Sequence, residues 1–283
     1  TFCSAGCSDI TRTIIGPQTA KNFRQYMSRS EALVSHPPET IPVRPAHVFD
    51  EMALFAYLER NVDGFRKPAH VRQFSGGQSN PTFAILTKDR KYVVRKKPSG
   101  KLLPRAHAVD REFRVMKALE TIGVPVPRTH LLCEDKSVIG TVFYVMDYVA
   151  GRVLRDPRLP QMNPGERAAI YDVMNSCLTK IHTADFEALG LADYGKSGNY
   201  FARQISRWSR NYVAAKTTKI EPVDRLMKWL PENIPVGDQT SVVHGDFRLE
   251  NMVFHPSEPT VLAVLDWELS TLGHPLADLA YNC

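Results

Sequence analysis

The sequence predicts an α+β fold in two lobes, because its pattern changes character partway along the chain. Short segments rich in β-branched and aromatic residues dominate the first half of the 283 residues, and segments with helical periodicity dominate the second half. Gly151 lies at the change and is interpreted as a joint. We therefore expect a linker or tail at 1–45, an N-lobe at 46–150 and a C-lobe at 151–283.

Composition is ordinary for a soluble globular protein, with 43% hydrophobic residues and a net charge of +6. No apolar run approaches the roughly 20 residues that span a bilayer, and no secretory signal is visible. Basic and acidic residues are interspersed, which favours a solvated surface over a nucleic-acid interface. The five cysteines include no Cys-x-x-Cys pair, so we expect a reducing intracellular compartment.

The predicted elements of the N-lobe follow in chain order. Residues 1–45 have weak periodicity and many glycines and prolines. Met52, Phe55 and Leu58 share one helical face. Alternation and β-branched residues indicate the strands. We predict a helix at 50–61, strands at 71–74, 82–86 and 92–95, a helix at 110–121 and a strand at 141–149.

The C-lobe begins with a strong helix start. Asn163 can cap the helix, Pro164 suits its first position, and Glu166 completes a capping box. The apolar residues that follow at helical spacing predict a largely buried helix. Further along the chain we predict a helix at about 226–230 and short apolar strands at 241–243 and 261–265.

The strongest functional signal is the segment His-Gly-Asp-Phe-Arg-Leu-Glu-Asn at 244–251, followed after a strand by Asp266. Phosphoryl transfer needs a base near the attacking hydroxyl and oxygen ligands for Mg²⁺. We predict that Asp246 orients the hydroxyl and accepts its proton. Asn251 and Asp266 are the predicted metal ligands, with the spacing of a kinase catalytic loop and its metal-binding Asp.

Arg248 follows the predicted base by two residues. A cation at this place could stabilise the transferred phosphate, so we predict a catalytic role for Arg248. A plain surface arginine is the alternative.

A glycine-containing turn at 75–80 joins two of the predicted strands. Gly76 and Gly77 would let backbone N–H groups approach phosphates, and Ser79 and Asn80 would add donors. By itself this signal is weak, because Gly-Gly turns join many hairpins.

A cation on the next strand could bind nucleotide phosphates if an acidic partner on the following helix held it in place. Arg95 and Glu112 are the predicted pair, which we expect within about 4 Å of each other. Lys97 shares the alternation of Arg95 and is the rival. An exposed charge pair of little consequence is the other interpretation.

The strand at 143–151 falls where a two-lobed kinase has its hinge. Adenine would bond to backbone groups near Asp147 and Val149, with Met146 at the back of the pocket. An ordinary buried strand explains the same residues, so this assignment depends on the other motifs.

Together these motifs resemble the aminoglycoside phosphotransferase and choline kinase superfamily. Within it, the chain is most similar to the kinase-like domain of acyl-CoA dehydrogenase family members 10 and 11, and more to member 10. The segments that carry this closer resemblance are 95–98, 102–104, 111–113, 137–141 and 265–271.

The resemblance implies a protein-kinase-like fold whose helical lobe is incomplete here, since family members continue beyond 276–280. It implies ATP and Mg²⁺ as cofactors, and Asp278 bonded back to the catalytic loop. The implied reaction is phosphorylation of a small-molecule hydroxyl, with a 4-hydroxyacyl-CoA of fatty-acid catabolism as the suggested acceptor. A covalently linked acyl-CoA dehydrogenase domain and a mitochondrial or peroxisomal location are implied as well.

Two other functions remain open from the sequence. One is a nucleotide-binding pseudokinase that regulates a fused dehydrogenase. The other is an aminoglycoside or choline kinase. The basic segment at 96–117 could meet coenzyme A phosphates or could be a solvated basic face.

Overall fold

The structure is a computed structural model that describes residues 39–76, 80–98 and 107–282. Its helices are α1 (Glu51–Asn61), α2 (Val109–Glu120), α3 (Pro164–His182), α4 (Tyr200–Ala215), α5 (Glu221–Glu232) and α6 (Leu276–Tyr281). The strands in the first half are β1 (Thr40–Ile41), β2 (Ala69–Phe74), β3 (Thr82–Thr87), β4 (Lys91–Lys96), β5 (Thr129–Cys133) and β6 (Phe143–Asp147). Those in the second half are β7 (Ser241–Val243), β8 (Met252–Phe254), β9 (Val261–Val264) and β10 (Thr271–Gly273).

The N-lobe is a six-stranded antiparallel sheet with the order β1-β2-β3-β4-β6-β5. Residues of β4 alternate between its two faces, as the period of a strand requires. Val94 belongs to the hydrophobic cluster that includes the buried residues of α1. Val93 belongs to the hydrophobic cluster that includes the buried residues of α2. Arg95 lies two residues from Val93, so its side chain points to the α2 side, where the lobes meet.

The edge strand β1 extends the N-lobe before the predicted boundary at residue 46. Thr40 pairs with Phe74 and Ile41 with Gln73. A strand of two residues has too little alternation to be recognised in a sequence. Residues 1–38, the bulk of the predicted linker, lie outside the described part of the chain.

The C-lobe starts with the predicted capping box, which is present at α3. Asn163 Oδ1 accepts from the Glu166 backbone N–H at 3.0 Å, and Glu166 Oε2 accepts from the Asn163 N–H at 2.8 Å. The interior face of α3 packs on β7 and β9. These strands form two small ribbons, β7 with β10 and β8 with β9, and the loops at their ends carry the candidate site.

Several elements differ from the prediction. The helix α4, which contains Trp208, was not predicted, and α5 begins at Glu221, well before the predicted start at 226. Neither helix has a buried residue. The prediction of helices relied on apolar residues that face the core, so it did not recover the full lengths of α4 and α5. The strands β5 and β10 were also not predicted. Among the described helices, none is long and apolar enough to cross a membrane.

Two cysteines lie in the described part of the chain, and both are buried free thiols. They are Cys133 and Cys177, and burial raises the pKa of the Cys177 thiol to about 11. A buried thiol of this kind packs in the core and is unreactive.

Candidate functional site

The loop that follows β7 begins with a glycine that the backbone requires. Gly245 has φ +85°, and a Cβ at this position would lie 2.7 Å from the carbonyl oxygen of Leu269. Both the left-handed conformation and the close approach exclude a side chain. The glycine therefore lets the loop run directly against the turn that follows Asp266.

His244 connects this loop to the strand that ends at Asp266. Its Nε2 lies 2.9 Å from the carbonyl oxygen of Leu265, which can only accept, so Nε2 carries the proton. Its Nδ1 then accepts the backbone N–H of Asp246 at 3.2 Å. Burial lowers the pKa of His244, which agrees with a neutral ring. His244 thus links the loop of the predicted base, Asp246, to the strand that ends before the predicted metal ligand, Asp266.

Asp278, on α6, holds the same loop from the other side, as the family resemblance implied. Its carboxylate accepts the backbone N–H groups of His244 at 2.8 Å and Gly245 at 2.7 Å. His182 at the end of α3 contacts the same carboxylate at 3.0 Å. Asp278 is 1% exposed, so these partners replace the water it has lost.

Replacing Asp278 by Asn tests whether its two hydrogen bonds to the loop, called here the Asp278 tether, stabilise the fold. Asn offers one acceptor oxygen where two backbone N–H groups need one each, so we expect the free energy of unfolding to fall by about 1–3 kcal/mol. Urea denaturation measures the change. The matched control is Asp172→Asn on the exposed face of α3, where a change within about 0.5 kcal/mol is expected. Equal losses in the two variants would contradict the tether.

The predicted base and one predicted metal ligand contact each other directly. Asn251 Nδ2 donates to the backbone oxygen and to Oδ2 of Asp246, both at 2.8 Å. With Nδ2 committed to the loop, the amide oxygen of Asn251 is the atom left for a metal ion. The Leu265 N–H donates to the Asn251 carbonyl oxygen at 2.8 Å, which brings this loop to the strand before Asp266.

Arg248 extends from the same loop and is about half exposed. Its Nε lies 3.3 Å from Asp246 Oδ1, and its Nη1 lies 3.1 Å from Glu250 Oε2. The guanidinium therefore stands beside the base, within reach of a group transferred there. The Asp246 carboxylate raises the pKa of the Tyr281 hydroxyl on α6.

Asp266 lies across from this loop in a conformation that non-glycine residues rarely adopt. Its φ and ψ are +63° and +61°, and its side chain is 34% exposed. Left-handed backbone at a residue with a side chain costs energy and is concentrated at functional sites. Arg95 Nη2 contacts Asp266 Oδ1 at 2.7 Å.

The predicted pairing of Arg95 with Glu112 is confirmed. Arg95 Nε lies 2.9 Å from Glu112 Oε2, whereas the rival Lys97 pairs with Asp110, also at 2.9 Å. Arg95 Nη2 additionally lies 3.2 Å from Glu268 Oε2. Burial opposes the charge on Arg95, but the surrounding carboxylates outweigh this effect and raise the pKa of the guanidinium. Arg95 is therefore a fixed cation at the boundary of the two lobes.

Glu112 is buried and satisfied by three side chains. Besides Arg95, the Tyr144 hydroxyl donates to its Oε2 at 3.1 Å and Asn80 Nδ2 donates to its Oε1 at 2.9 Å. Burial raises the pKa of Glu112 to about 7, against the lowering effect of Arg95.

Asn80 was predicted to contact the nucleotide, and the structure gives it different partners. It is fully buried, and its Nδ2 contacts both Glu112 and, at 3.3 Å, Glu268 Oε2 of the other lobe. His107 Nδ1 lies 3.1 Å from its Oδ1. This geometry favours a positioning role for Asn80 over a direct phosphate contact. Sequence reasoning missed Tyr144, His107 and Glu268, although Glu268 is two residues beyond Asp266.

The glycine-containing turn is described only in part. Gly76 is exposed, and a Cβ there would meet no atom within 4 Å, so its backbone does not demand glycine in this structure. Gly77 and Ser79 lie outside the described residues. The phosphate-binding role of the turn stays a prediction.

The hinge residues lie at the end of β6. The Asp147 backbone N–H donates to the Arg128 carbonyl oxygen at 2.9 Å, and Asp147 Oδ1 lies 2.7 Å from His130 Nε2. This N–H is therefore committed to β5 and is not offered to adenine. Val149 is partly buried and packs on the cluster around Leu262.

The residues present fit a Mg²⁺ site of the kind predicted. Within the described residues, no three His, Cys, Asp or Glu side chains are grouped as a protein-only metal site. Mg²⁺ usually takes one or two protein oxygens, with phosphates and water completing its shell. The amide oxygen of Asn251 and the carboxylate of Asp266 supply that number, and the strained backbone of Asp266 holds its carboxylate toward the boundary between the lobes.

Comparison with sequence families gives one match that covers most of the chain. A model described as the phosphotransferase enzyme family, abbreviated APH, matches residues 70–283. The match includes the sheet from residue 70 in β2 onward, the predicted catalytic loop at 244–251 and Asp266.

Curated relatives carry the names found by resemblance. Acyl-CoA dehydrogenase family member 10 of Mus musculus is 50% identical over 259 residues, covering 89% of this chain and 24% of the relative. Family member 11 of Gallus gallus is 52% identical over 249 residues, covering 86% of this chain and 32% of the relative. The chain thus spans about a quarter to a third of these relatives.

Solved structures confirm the kinase-like α+β fold. A Ralstonia eutropha protein assigned to the aminoglycoside phosphotransferases is 54% identical, with a TM-score of 0.76, covering 83% of this chain and 70% of that one. A thermostable mutant aminoglycoside phosphotransferase, solved with ADP and hygromycin B, shares the fold at 17% identity and a TM-score of 0.56, covering 80% of this chain and 74% of that one. The chain belongs to the phosphotransferase enzyme family.

Proposed function

We propose that this chain transfers the γ-phosphoryl group of ATP, with Mg²⁺, to the hydroxyl group of a small molecule. The observation that carries the proposal is the convergence of Asp246, Asn251 and Asp266. Two backbone segments hold them together through His244 and the Leu265–Asn251 hydrogen bond. Phosphoryl transfer depends on positioning and charge stabilisation, which this arrangement can supply.

Asp246 is the proposed base. Its Oδ2 is held by Asn251, and its Oδ1 lies beside Arg248. A substrate hydroxyl beside Asp246 could pass its proton to the Asp246 carboxylate. Arg248 would then face the charge that develops on the transferred group.

Asn251 and Asp266 would hold Mg²⁺, which when bound neutralises charge on the nucleotide phosphates. The contact between Arg95 and Asp266 supports a nucleotide site here, because it puts a buried, fixed cation next to the proposed metal ligand. Glu112, Asn80 and Tyr144 hold that cation in place. Adenine would lie along the segment from Asp147 to Val149.

Replacing Arg95 by Met tests the proposed phosphate contact. The change keeps an unbranched apolar stem but removes the buried guanidinium cation, so we expect ATP affinity to fall about tenfold or more. The matched control is Lys97→Met, which removes the neighbouring cation and its more exposed pair with Asp110, and should change affinity little. Calorimetric titration with ATP and Mg²⁺ measures both. A larger loss in the Lys97 variant would transfer the role to Lys97.

A 4-hydroxyacyl-CoA is the proposed acceptor, since the curated relatives are acyl-CoA dehydrogenase family members. The fused dehydrogenase domain and an intracellular location, mitochondrial or peroxisomal, are part of this proposal. The basic segment adds little support, because its described residues have partners within the chain. Arg111 donates to the Tyr194 carbonyl oxygen at 2.6 Å, and Arg114 pairs with Asp193. These contacts join α2 to the C-lobe.

A regulatory pseudokinase is the second candidate, and an aminoglycoside or choline kinase is the third. A non-catalytic domain has no need of Asp246, Asn251 and Asp266 together, which favours the first proposal over the second. A phosphate-transfer screen with ATP and Mg²⁺ separates all three. Its acceptors would be hydroxyacyl-CoAs, choline and aminoglycosides, with Asp246→Asn as the blank. Saturable ATP binding without transfer to any acceptor would favour the pseudokinase.

A further inference from the structure

The N-lobe contains a recess on the outer side of the hinge, away from the site built around Asp246. It has a volume of about 440 Å³ and lies between the end of α1, the turn joining β3 to β4, and the start of β5. No residue of the catalytic loop and no predicted metal ligand lines it. The recess is therefore separate from the proposed phosphotransfer site.

Positive charge dominates the lining. Arg90 and Arg128 contribute guanidinium groups, while Asp63 is the one acidic lining residue. Neither arginine forms an ion pair with an acidic side chain of the described residues, in contrast to Arg95, Arg114, Arg155 and Arg158. Two cations that converge on one recess without acidic partners provide a site for an anion.

The backbone is irregular at the same place. Thr129 pairs with Met146 and Leu131 with Val145, so His130 is an extra residue in β5 relative to β6. Bulges redirect side chains and are frequent near functional sites. Here the bulge points His130 Nε2 at Asp147 Oδ1, and the ring packs edge-on against Tyr92 with centroids 5.4 Å apart.

We propose that this recess binds a phosphate-bearing small molecule or free phosphate between Arg90 and Arg128. The same segment holds Asp147 twice, since Arg128 accepts its backbone N–H and His130 contacts its carboxylate. Binding that shifts residues 128–130 therefore changes the contacts of Asp147. The binding site stands independently of the proposed function, whereas an influence on ATP through Asp147 rests on it.

The test is a titration of the isotopically labelled chain with inorganic phosphate, in the absence of nucleotide, followed by amide resonances. A parallel titration uses a phosphomonoester, glycerol 2-phosphate. We expect saturable shifts at residues 61–64, 128–130 and 147. The double variant Arg90→Gln and Arg128→Gln should weaken binding at least about tenfold, because two charge-assisted contacts are lost. Tighter binding of one probe than the other identifies free phosphate or an esterified phosphate as the better match.

The matched control is Lys88→Gln. Lys88 is exposed on the same turn as Arg90 but does not line the recess, so phosphate should bind this variant as it binds the parent. Thermal unfolding of all variants checks that the fold is retained. Absence of saturable shifts with both probes would overturn the proposal. So would binding that survives in the double variant but is lost in Arg95→Met, since the ion would then occupy the nucleotide site.

Discussion

Replacing Asp246 by Asn is expected to lower turnover by about 10²–10⁴-fold while ATP still binds, which is the usual contribution of a general base. The change is nearly isosteric. An Asn oxygen can still accept from Asn251 Nδ2, as Oδ2 does now at 2.8 Å, so the loop should keep its shape. What is lost is the carboxylate that takes the proton of the substrate hydroxyl.

Two measurements are needed to interpret this result. Phosphate transfer gives turnover, and calorimetric titration gives ATP affinity in the presence of Mg²⁺. The matched control is Glu250→Gln, which removes a carboxylate from the same loop that also contacts Arg248. Its turnover should stay near that of the parent. Near-normal turnover of the Asp246 variant would refute the base, and joint loss of ATP binding and turnover would indicate a metal or structural role.

Replacing Asp266 by Asn is expected to remove the part of ATP affinity that depends on Mg²⁺. Asn tolerates the left-handed backbone that Asp266 adopts at φ +63°, so the variant tests the charge rather than the conformation. Mg²⁺ prefers anionic oxygen, and a neutral amide is a weaker ligand for it. ATP titrations with Mg²⁺ and with a chelator give the magnesium-dependent difference, which should vanish in the variant.

The control for this prediction is Glu268→Gln. Glu268 is two residues beyond Asp266 and contacts the same guanidinium, at 3.2 Å from Arg95 Nη2, so it matches the loss of charge near Arg95. If the magnesium-dependent difference survived in the Asp266 variant, the metal assignment would be wrong. If it vanished equally in both variants, the effect would come from the freed Arg95 rather than from a lost metal ligand.

The contact between Asp246 and Asn251 in the predicted catalytic loop could be anticipated because both residues lie within one short segment. The spacing of Asp246 and Asn251 is a property of the chain, and the structure shows them in direct contact through Asn251 Nδ2. Strand β7 occupies the predicted residues 241–243. The pairing of Arg95 with Glu112 was predictable for a related reason: a strand puts Arg95 on a known face, and the following helix returns across that face.

Asn80 has partners that the sequence did not reveal. It belongs to a turn whose composition is typical of phosphate binding, yet it is buried and contacts Glu268, which is 188 residues away in the chain. Composition describes which donors a turn contains. It does not describe which acceptors the other lobe brings to them.

By itself, the sequence determined the two lobes, the position of the predicted catalytic loop and the partner of Arg95, because each depends on spacing within one segment or on the periodicity of a strand or helix. The family followed from the resemblance of the motifs. The tertiary structure decided which residues hold these groups. Asp278 was expected at the loop from resemblance, but the contacts of His244 with Leu265, of Asn80 with Glu268 and of His130 with Asp147 join segments whose packing no local pattern specifies. Buried polar groups must find partners, and folding alone brings those partners within reach.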